Sequence, residues 1–236
     1  MKTTILFTTL AALFLTTSCL SKQASDNTDD AIQTIKQLKA KAEQGDAEAQ
    51  YKLGRHYYNN NDVAKAAEWY KKAAEKGFVQ AQFSLGSCYK DGEGVTQDYA
   101  EAVRWYRKAA EQGDHYAQLF LGNLYFFGNG VTTNHAEAAK WYKMAAKQGN
   151  THALVSLGLL YDNGLGVKIN HAEAAKCYRN AAELGFAEAQ YRLGLCYKKG
   201  MGVAKNKAEA IKWYKEAAKQ DHQEAKKALN DIGETW

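Results

Sequence analysis

Apolar residues recur along most of this chain with the period of a helix. Ala49, Leu53, His56 and Tyr57 return as Ala81, Leu85, Cys88 and Tyr89, and again as Ala117, Leu121, Leu124 and Tyr125. Positions i, i+4, i+7 and i+8 share one helical face, so each set predicts an amphipathic helix with that stripe buried. Between these helices runs a second pattern, marked by Trp69-Tyr70, Trp105-Tyr106, Trp141-Tyr142, Cys177-Tyr178 and Trp213-Tyr214 and closing on Ala-Ala. Asp98, Asn134, Asn170 and Asn206 open it, each followed three residues later by Glu101, Glu137, Glu173 or Glu209. That spacing predicts a capping box at the start of every second helix. Basic residues such as Lys71 and Lys72 suit the negative end of the helix dipole, and a glycine stops the helix.

The two patterns alternate with a fixed period. Gly77, Gly113, Gly149 and Gly185 are spaced by 36 residues, and Gly45 lies 32 before the first. Leu53-Gly54, Leu85-Gly86, Leu121-Gly122, Leu157-Gly158 and Leu193-Gly194 keep the same intervals. Self-similarity of this length marks a repeat architecture. Five units follow, 46–77, 78–113, 114–149, 150–185 and 186–221. A glycine inside a helix costs about 1 kcal/mol against alanine, so its return in every first helix predicts a close approach there. Gly92-x-Gly94-Val95 and its counterparts at 128, 164 and 200 predict a turn with positive φ and a valine set into the core. The first unit is four residues shorter, with Asn59-Asn60-Asn61 in place of this turn and Asp62 as the cap.

Both flanks fit the pattern. Residues 30–45 align with a second helix capped by Asp30, and residues 222–236 align with a first helix in which Lys226, Lys227 and Asn230 replace apolar or small residues. Repeat stacks need such polar ends. The expectation is twelve helices: a cap, five pairs and a terminal cap.

The repeated string A-x-x-x-L-G-x-x-Y-x-x-G-x-G-V-x-x-[DN]-x-x-E-A-x-x-W-Y-x-K-A-A-x-x-G, over residues 46–221, resembles the Sel-one-like repeat (SLR) family, relatives of the tetratricopeptide repeats. The resemblance implies an all-α fold, a right-handed α-solenoid of stacked antiparallel helix pairs, with a concave face that binds other proteins. Some cysteine-rich members are associated with binding or hydrolysing β-lactams. This chain lacks their pair of cysteines in every repeat and has no S-x-x-K motif, so an envelope enzyme, or a binder of β-lactam or peptidoglycan, stands only as the rival reading.

Composition adds little to the fold and more to the setting. Of 236 residues 46% are apolar and none is proline, and the net charge of +5 comes from interleaved signs, which argues against a nucleic-acid partner. The N-terminus is more specific. Met1-Lys2 precedes the apolar run Ile5 to Leu15, the length of a signal-peptide core and too short for a membrane span. Thr16-Thr17-Ser18-Cys19 follows, which resembles the lipobox of bacterial lipoproteins and implies lipid on Cys19, although Thr16 stands where leucine is usual. Residues 1–18 then form a lipoprotein-type signal and 19–29 a polar tether. Leu20, lacking the retention aspartate of such lipoproteins, directs the expectation to the outer membrane. An ordinary secretory signal cleaved near Ser18 or Ser21 is the alternative.

Candidate chemistry is sparse. The glycine turns lack the strand and lysine of a phosphate loop, no nucleophile, base and orienting group come together, and neither a metal nor a cofactor is expected. His135 and His171 lie one repeat apart, too far to share a metal. Cys177 and Cys196 could reach the same height in neighbouring helices, which leaves a disulfide or two buried thiols open. The concave positions between the buried stripes read Glu48/Lys52/Arg55, Gln80/Ser84/Ser87, Tyr116/Phe120/Asn123, His152/Ser156/Leu159 and Glu188/Arg192/Leu195. Aromatic residues stand there only in the middle, as in a protein-binding hot spot. The candidate site is therefore Tyr116, Phe120, Asn123, His152 and Leu159, flanked by Lys52, Arg55 and Arg192. Packing of Tyr116 and Phe120 against the neighbouring repeat is the other reading.

Overall fold

A computed structural model of the chain describes residues 33–235, and twelve helices and no strand are found among the described residues. Helix α1 covers residues 33–43. It is followed by α2 (Ala47–Asn59), α3 (Val63–Glu75), α4 (Val79–Asp91), α5 (Tyr99–Glu111), α6 (His115–Phe127) and α7 (His135–Lys147). Then come α8 (Thr151–Asn163), α9 (His171–Glu183), α10 (Ala187–Lys199), α11 (Lys207–Lys219) and α12 (Gln223–Asn230). The signal segment, the tether, Cys19 and the expected Asp30 cap lie outside the described residues. No described helix is long and apolar enough to cross a membrane.

The chain divides into two compact units, one ending at Phe78 and one beginning at Val79. In the N-terminal unit α2 packs on α3. Ala42, Ala49 and Leu53 form its core with Leu38, Tyr57 and Trp69 against them. In the C-terminal unit consecutive helices from α4 to α12 pack on one another, so that they form a stack of consecutive pairs, and α8 also touches α10.

The recurrent glycine of each first helix is explained by a ring. A Cβ on Gly122 would lie 2.6 Å from the Tyr142 ring, and Gly86, Gly158 and Gly194 meet Tyr106, Tyr178 and Tyr214 in the same way. The tyrosine of each Trp-Tyr or Cys-Tyr pair thus lies against the glycine of its partner helix, an approach that only a residue without a side chain permits. The tryptophan works across repeats: Trp141 joins the core of α5 and α6, and Cys177 takes the equivalent place in the core of α7 and α8.

Helix ends follow the caps expected, with one correction. Asn134 Oδ1 accepts from the Glu137 N–H at 3.0 Å, and Asp98, Asn170 and Asn206 cap α5, α9 and α11 likewise. The reciprocal half of the box is absent. The cap's own N–H donates to a tyrosine carbonyl of the preceding helix, as Asn134 does to Tyr125 at 2.9 Å. The glutamates turn outward instead, Glu101 to Arg104 at 2.9 Å and to the Trp105 indole at 3.1 Å. At the other end, Gly77 N–H bonds Ala74 O and Phe78 N–H bonds Ala73 O, the Schellman pattern, which repeats after α5, α7 and α9. After α11 the left-handed residue is Asp221, φ 65°, whose carboxylate holds Lys226 at 2.5 Å.

The turns between paired helices do more than reverse the chain. A Cβ on Gly130 would overlap the Tyr99 carbonyl of the previous second helix, and Gly166 and Gly202 meet His135 and His171. The second glycine of each turn therefore docks one repeat on the last. Val131, Val167 and Val203 pack partly buried against the cores. Paired glutamines add a polar seam, Gln112 to Gln82 at 2.7 Å, Gln148 to Gln118 at 3.0 Å and Gln220 to Gln190 at 2.9 Å. In the remaining repeat both positions are leucine, Leu154 and Leu184.

Candidate functional site

Across the first helices of the C-terminal unit lies a groove of about 420 Å³. Helix α6 lines it with Tyr116, Leu119, Phe120 and Asn123, α8 with His152, Val155 and Ser156, and the start of α10 with Phe186 and Glu188. Its origin is a change of size along one row of the repeat. Ser84, Phe120, Ser156 and Arg192 occupy equivalent positions, and the small Ser156 follows the large Phe120.

The aromatic members differ in role. Phe120 stacks on Tyr106 with ring centroids 5.6 Å apart and planes at 17°, and it also meets Phe83 at 5.8 Å. It is half-buried, so the packing role and the groove-lining role belong to the same ring. Tyr116 is 53% exposed, its ring centroid 6.1 Å from that of Phe83 with the planes at 41°, and it presents about half of its surface to solvent. His152 is exposed and its ring lies 4.7 Å from Phe186.

Polar contacts fix the rest. The Tyr142 hydroxyl donates to Asn123 Oδ1 at 2.7 Å. Burial pushes its pKa up, so the donor proton is retained. Glu188 lies 2.5 Å from Nε of Arg192, one turn on in α10, and 2.9 Å from Nε2 of His222, the N-cap of α12, and is thereby tied to both helices.

Of the candidate residues, Tyr116, Phe120, Asn123 and His152 are brought together around this groove. Leu159 and Arg192 are not in it. Leu159 lies one turn beyond Ser156 and lines two smaller depressions, one of about 160 Å³ with Phe126, Phe127 and Tyr142, the other of about 230 Å³ with Asp162, Tyr178 and Arg192. Lys52 and Arg55 belong to α2 of the N-terminal unit and are absent from the groove lining. Lys52 pairs with Glu48 at 2.6 Å, both well exposed, an arrangement that contributes little. Leu119, Val155 and Phe186 are lining residues that the sequence pattern does not single out. Phe186 carries a signal that could have found it, because it occupies the cap position held by Asp46, Asp114 and Asn150, and its helix start has no side-chain cap.

Among the described residues Cys177 and Cys196 are free and buried in separate clusters, the two-thiol alternative of the sequence reading. Burial pushes both thiols up to about 11 and Cys88 to about 12, so none is a thiolate near neutrality. His135 lies against Phe126 at 5.0 Å, and His171 Nδ1 is 2.9 Å from Asp162. Among the described residues no three His, Cys, Asp or Glu side chains are grouped to hold a metal.

Comparison with known proteins places this geometry among repeat scaffolds. The Sel1 repeat profile matches residues 79–114, 115–150, 151–186 and 187–222, and a tetratricopeptide repeat profile matches residues 20–78. Among solved structures, a protective antigen of uropathogenic Escherichia coli strains displaying an SLR fold is 41% identical over 84% of this chain, with a TM-score of 0.82. This chain spans 43% of that protein. A Sel1 repeat protein from Oxalobacter formigenes is 41% identical, with a TM-score of 0.76, over 80% of this chain and 79% of its own. A sel1 repeat protein from Klebsiella pneumoniae, 24% identical with a TM-score of 0.51, covers 84% of this chain and 98% of its own and shares the fold. No curated protein matches.

Proposed function

The chain belongs to the Sel1 repeat family, and on that footing we propose that it is a non-catalytic scaffold whose α6/α8/α10 groove receives a protein partner. The observation that carries this reading is the exposed Tyr116 beside Phe120, His152 and Phe186 around one depression, on a row that elsewhere bears Gln80, Ser84 or the paired Glu188 and Arg192. Aromatic anchors that are partly desolvated and rimmed by polar groups are where binding energy concentrates. The partner inserts an apolar side chain beside Ser156, and Asn123 and His152 offer it hydrogen bonds at the rim. The protein is exported and held at the outer membrane by lipid on Cys19, a reading supported by the apolar run Ile5 to Leu15 and the small residues before the cysteine.

Site-specific photo-cross-linking tests the groove. A benzophenone amino acid replaces Tyr116 or, as a control on the outer face of a second helix, Lys140. The expected result is a discrete protein adduct from position 116 and none from 140. Equal adducts from both positions, or adduct formation with purified cell wall in place of protein, would overturn the reading. Cys19→Ser is expected to abolish incorporation of labelled fatty acid, and retention of label would contradict the anchor.

A further inference from the structure

At the end of the C-terminal unit lies a separate cavity of about 260 Å³, lined by Lys198, Lys205, Lys207, Ala210, Tyr214 and Ile232. Its charged groups are of one sign. No carboxylate lines it, and none of the three lysines is in an ion pair among the described residues. The nearby acids are engaged elsewhere, Glu209 with Lys212 at 3.7 Å and Glu234 with Lys215 at 3.4 Å. The start of α11 adds to the positive field, since the helix opens at Lys207 and its first N–H groups carry partial positive charge.

The second observation is an orphaned hydroxyl. In three of the four joints of this unit the tyrosine finds a partner: Tyr106 with Ser87 at 2.9 Å, Tyr142 with Asn123 at 2.7 Å and Tyr178 with Asp162 at 2.8 Å. Tyr214 is fully buried, and its hydroxyl has no hydrogen-bond partner among the described residues. Adding the repeat of 36 shows why: the place of Asp162 beside Tyr178 is taken by Lys198 beside Tyr214. An ammonium only donates, so the phenol proton is left without an acceptor. Buried polar groups in native proteins are paired, and an exception points to a missing group.

We infer that this cavity binds a phosphate-type oxyanion, whose oxygens accept from the Tyr214 hydroxyl and from Lys198, Lys205 and Lys207. A tetrahedral anion with several acceptor oxygens matches four donors around one space, and its charge offsets three unpaired ammonium groups. The source is free phosphate or a phosphate borne by a larger molecule such as a lipid headgroup.

The test is calorimetric titration of the full chain with inorganic phosphate at constant ionic strength. Saturable one-to-one binding is expected. Lys198→Gln/Lys205→Gln/Lys207→Gln abolishes it, and Tyr214→Phe weakens it about tenfold, the effect of one lost hydrogen bond to a charged group. Lys212→Gln, on the same helix but paired with Glu209, leaves it unchanged. The melting temperature of unliganded Tyr214→Phe stays level or rises, because the hydroxyl removed has no partner, and this separates lost binding from lost folding. Absence of saturable binding at millimolar phosphate, or equal affinity in Tyr214→Phe and wild type, would overturn the proposal. Binding to phosphatidylglycerol vesicles that phosphate competes away identifies a headgroup as the source, whereas vesicle binding retained by the triple variant contradicts the site.

Discussion

At the joint of each helix pair in the C-terminal unit a tyrosine ring lies on a glycine, Tyr106 on Gly86, Tyr142 on Gly122, Tyr178 on Gly158 and Tyr214 on Gly194. On the exposed face of the same first helices the residues change from one repeat to the next, Gln80, Tyr116, His152 and Glu188 in one row, Ser84, Phe120, Ser156 and Arg192 in another. Where a Cβ would collide with a ring, packing allows one answer and the sequence repeats. Where no neighbour presses, the side chain is free to vary, and a depression forms where a small residue follows a large one. The scaffold is therefore built by what recurs, and the candidate site by what departs.

Removing a joint should produce the largest effect. Tyr142→Ala takes away a buried ring and the donor to Asn123, and is expected to cost about 3–5 kcal/mol in urea unfolding. A loss below about 1 kcal/mol would break the claim that the joints carry the stack. Next comes the docking of one repeat on another. Gly130→Ala forces a side chain into φ 71° and into the Tyr99 carbonyl, with an expected loss of about 2–3 kcal/mol by the same measurement.

Alkali probes the buried thiols. The folded state holds Cys177 and Cys196 up to about 11 from 9.0, so the unfolded chain loses these protons first. Their contribution is fully present below pH 9 and is lost as pH rises through about 11. The loss is expected to be on the order of 2 kcal/mol for each thiol, and in denaturant melts over that range it should shrink in Cys177→Ala/Cys196→Ala. An identical pH dependence in the variant would contradict the assignment. Smaller still is the cap: Asn134→Ala should cost about 1 kcal/mol, whereas Glu137→Gln should cost less than about 0.5 kcal/mol, because that glutamate returns no bond to the cap. Equal costs would restore the full box.

Much of this scaffold is legible in the residues alone, because the chain repeats. A period of 36 with helical spacing inside it locates the first helices, the Asn134-type caps and the glycine stops, since each depends on a few residues close in the chain. The face carrying Tyr116, Phe120, Asn123 and His152 is also legible, for helical periodicity assigns direction. Depth and height are not. Phe120 divides its surface between Tyr106 and the groove, and Leu159 sits a turn too far along α8, distinctions that depend on the neighbouring helix. The missing half of the capping box has the same origin, for the tyrosine carbonyl that takes the cap's N–H comes from the preceding helix. Phe186 stays hidden because a ring at a cap position reads locally as a poor cap, and its value appears only when His152 is found beside it.

The central claim is that the space beside Ser156 is a binding site. Ser156→Arg fills it with the side chain that the next repeat carries at the same position, Arg192, and should leave stability within about 0.5 kcal/mol. The decisive measurement is the dissociation constant of the partner recovered by cross-linking at position 116, for wild type and for Ser156→Arg, with melting temperatures taken in parallel. A complex at least about tenfold weaker at unchanged melting temperature is expected, the loss of one anchor of about 1.4 kcal/mol. Equal affinity in the two proteins would contradict it.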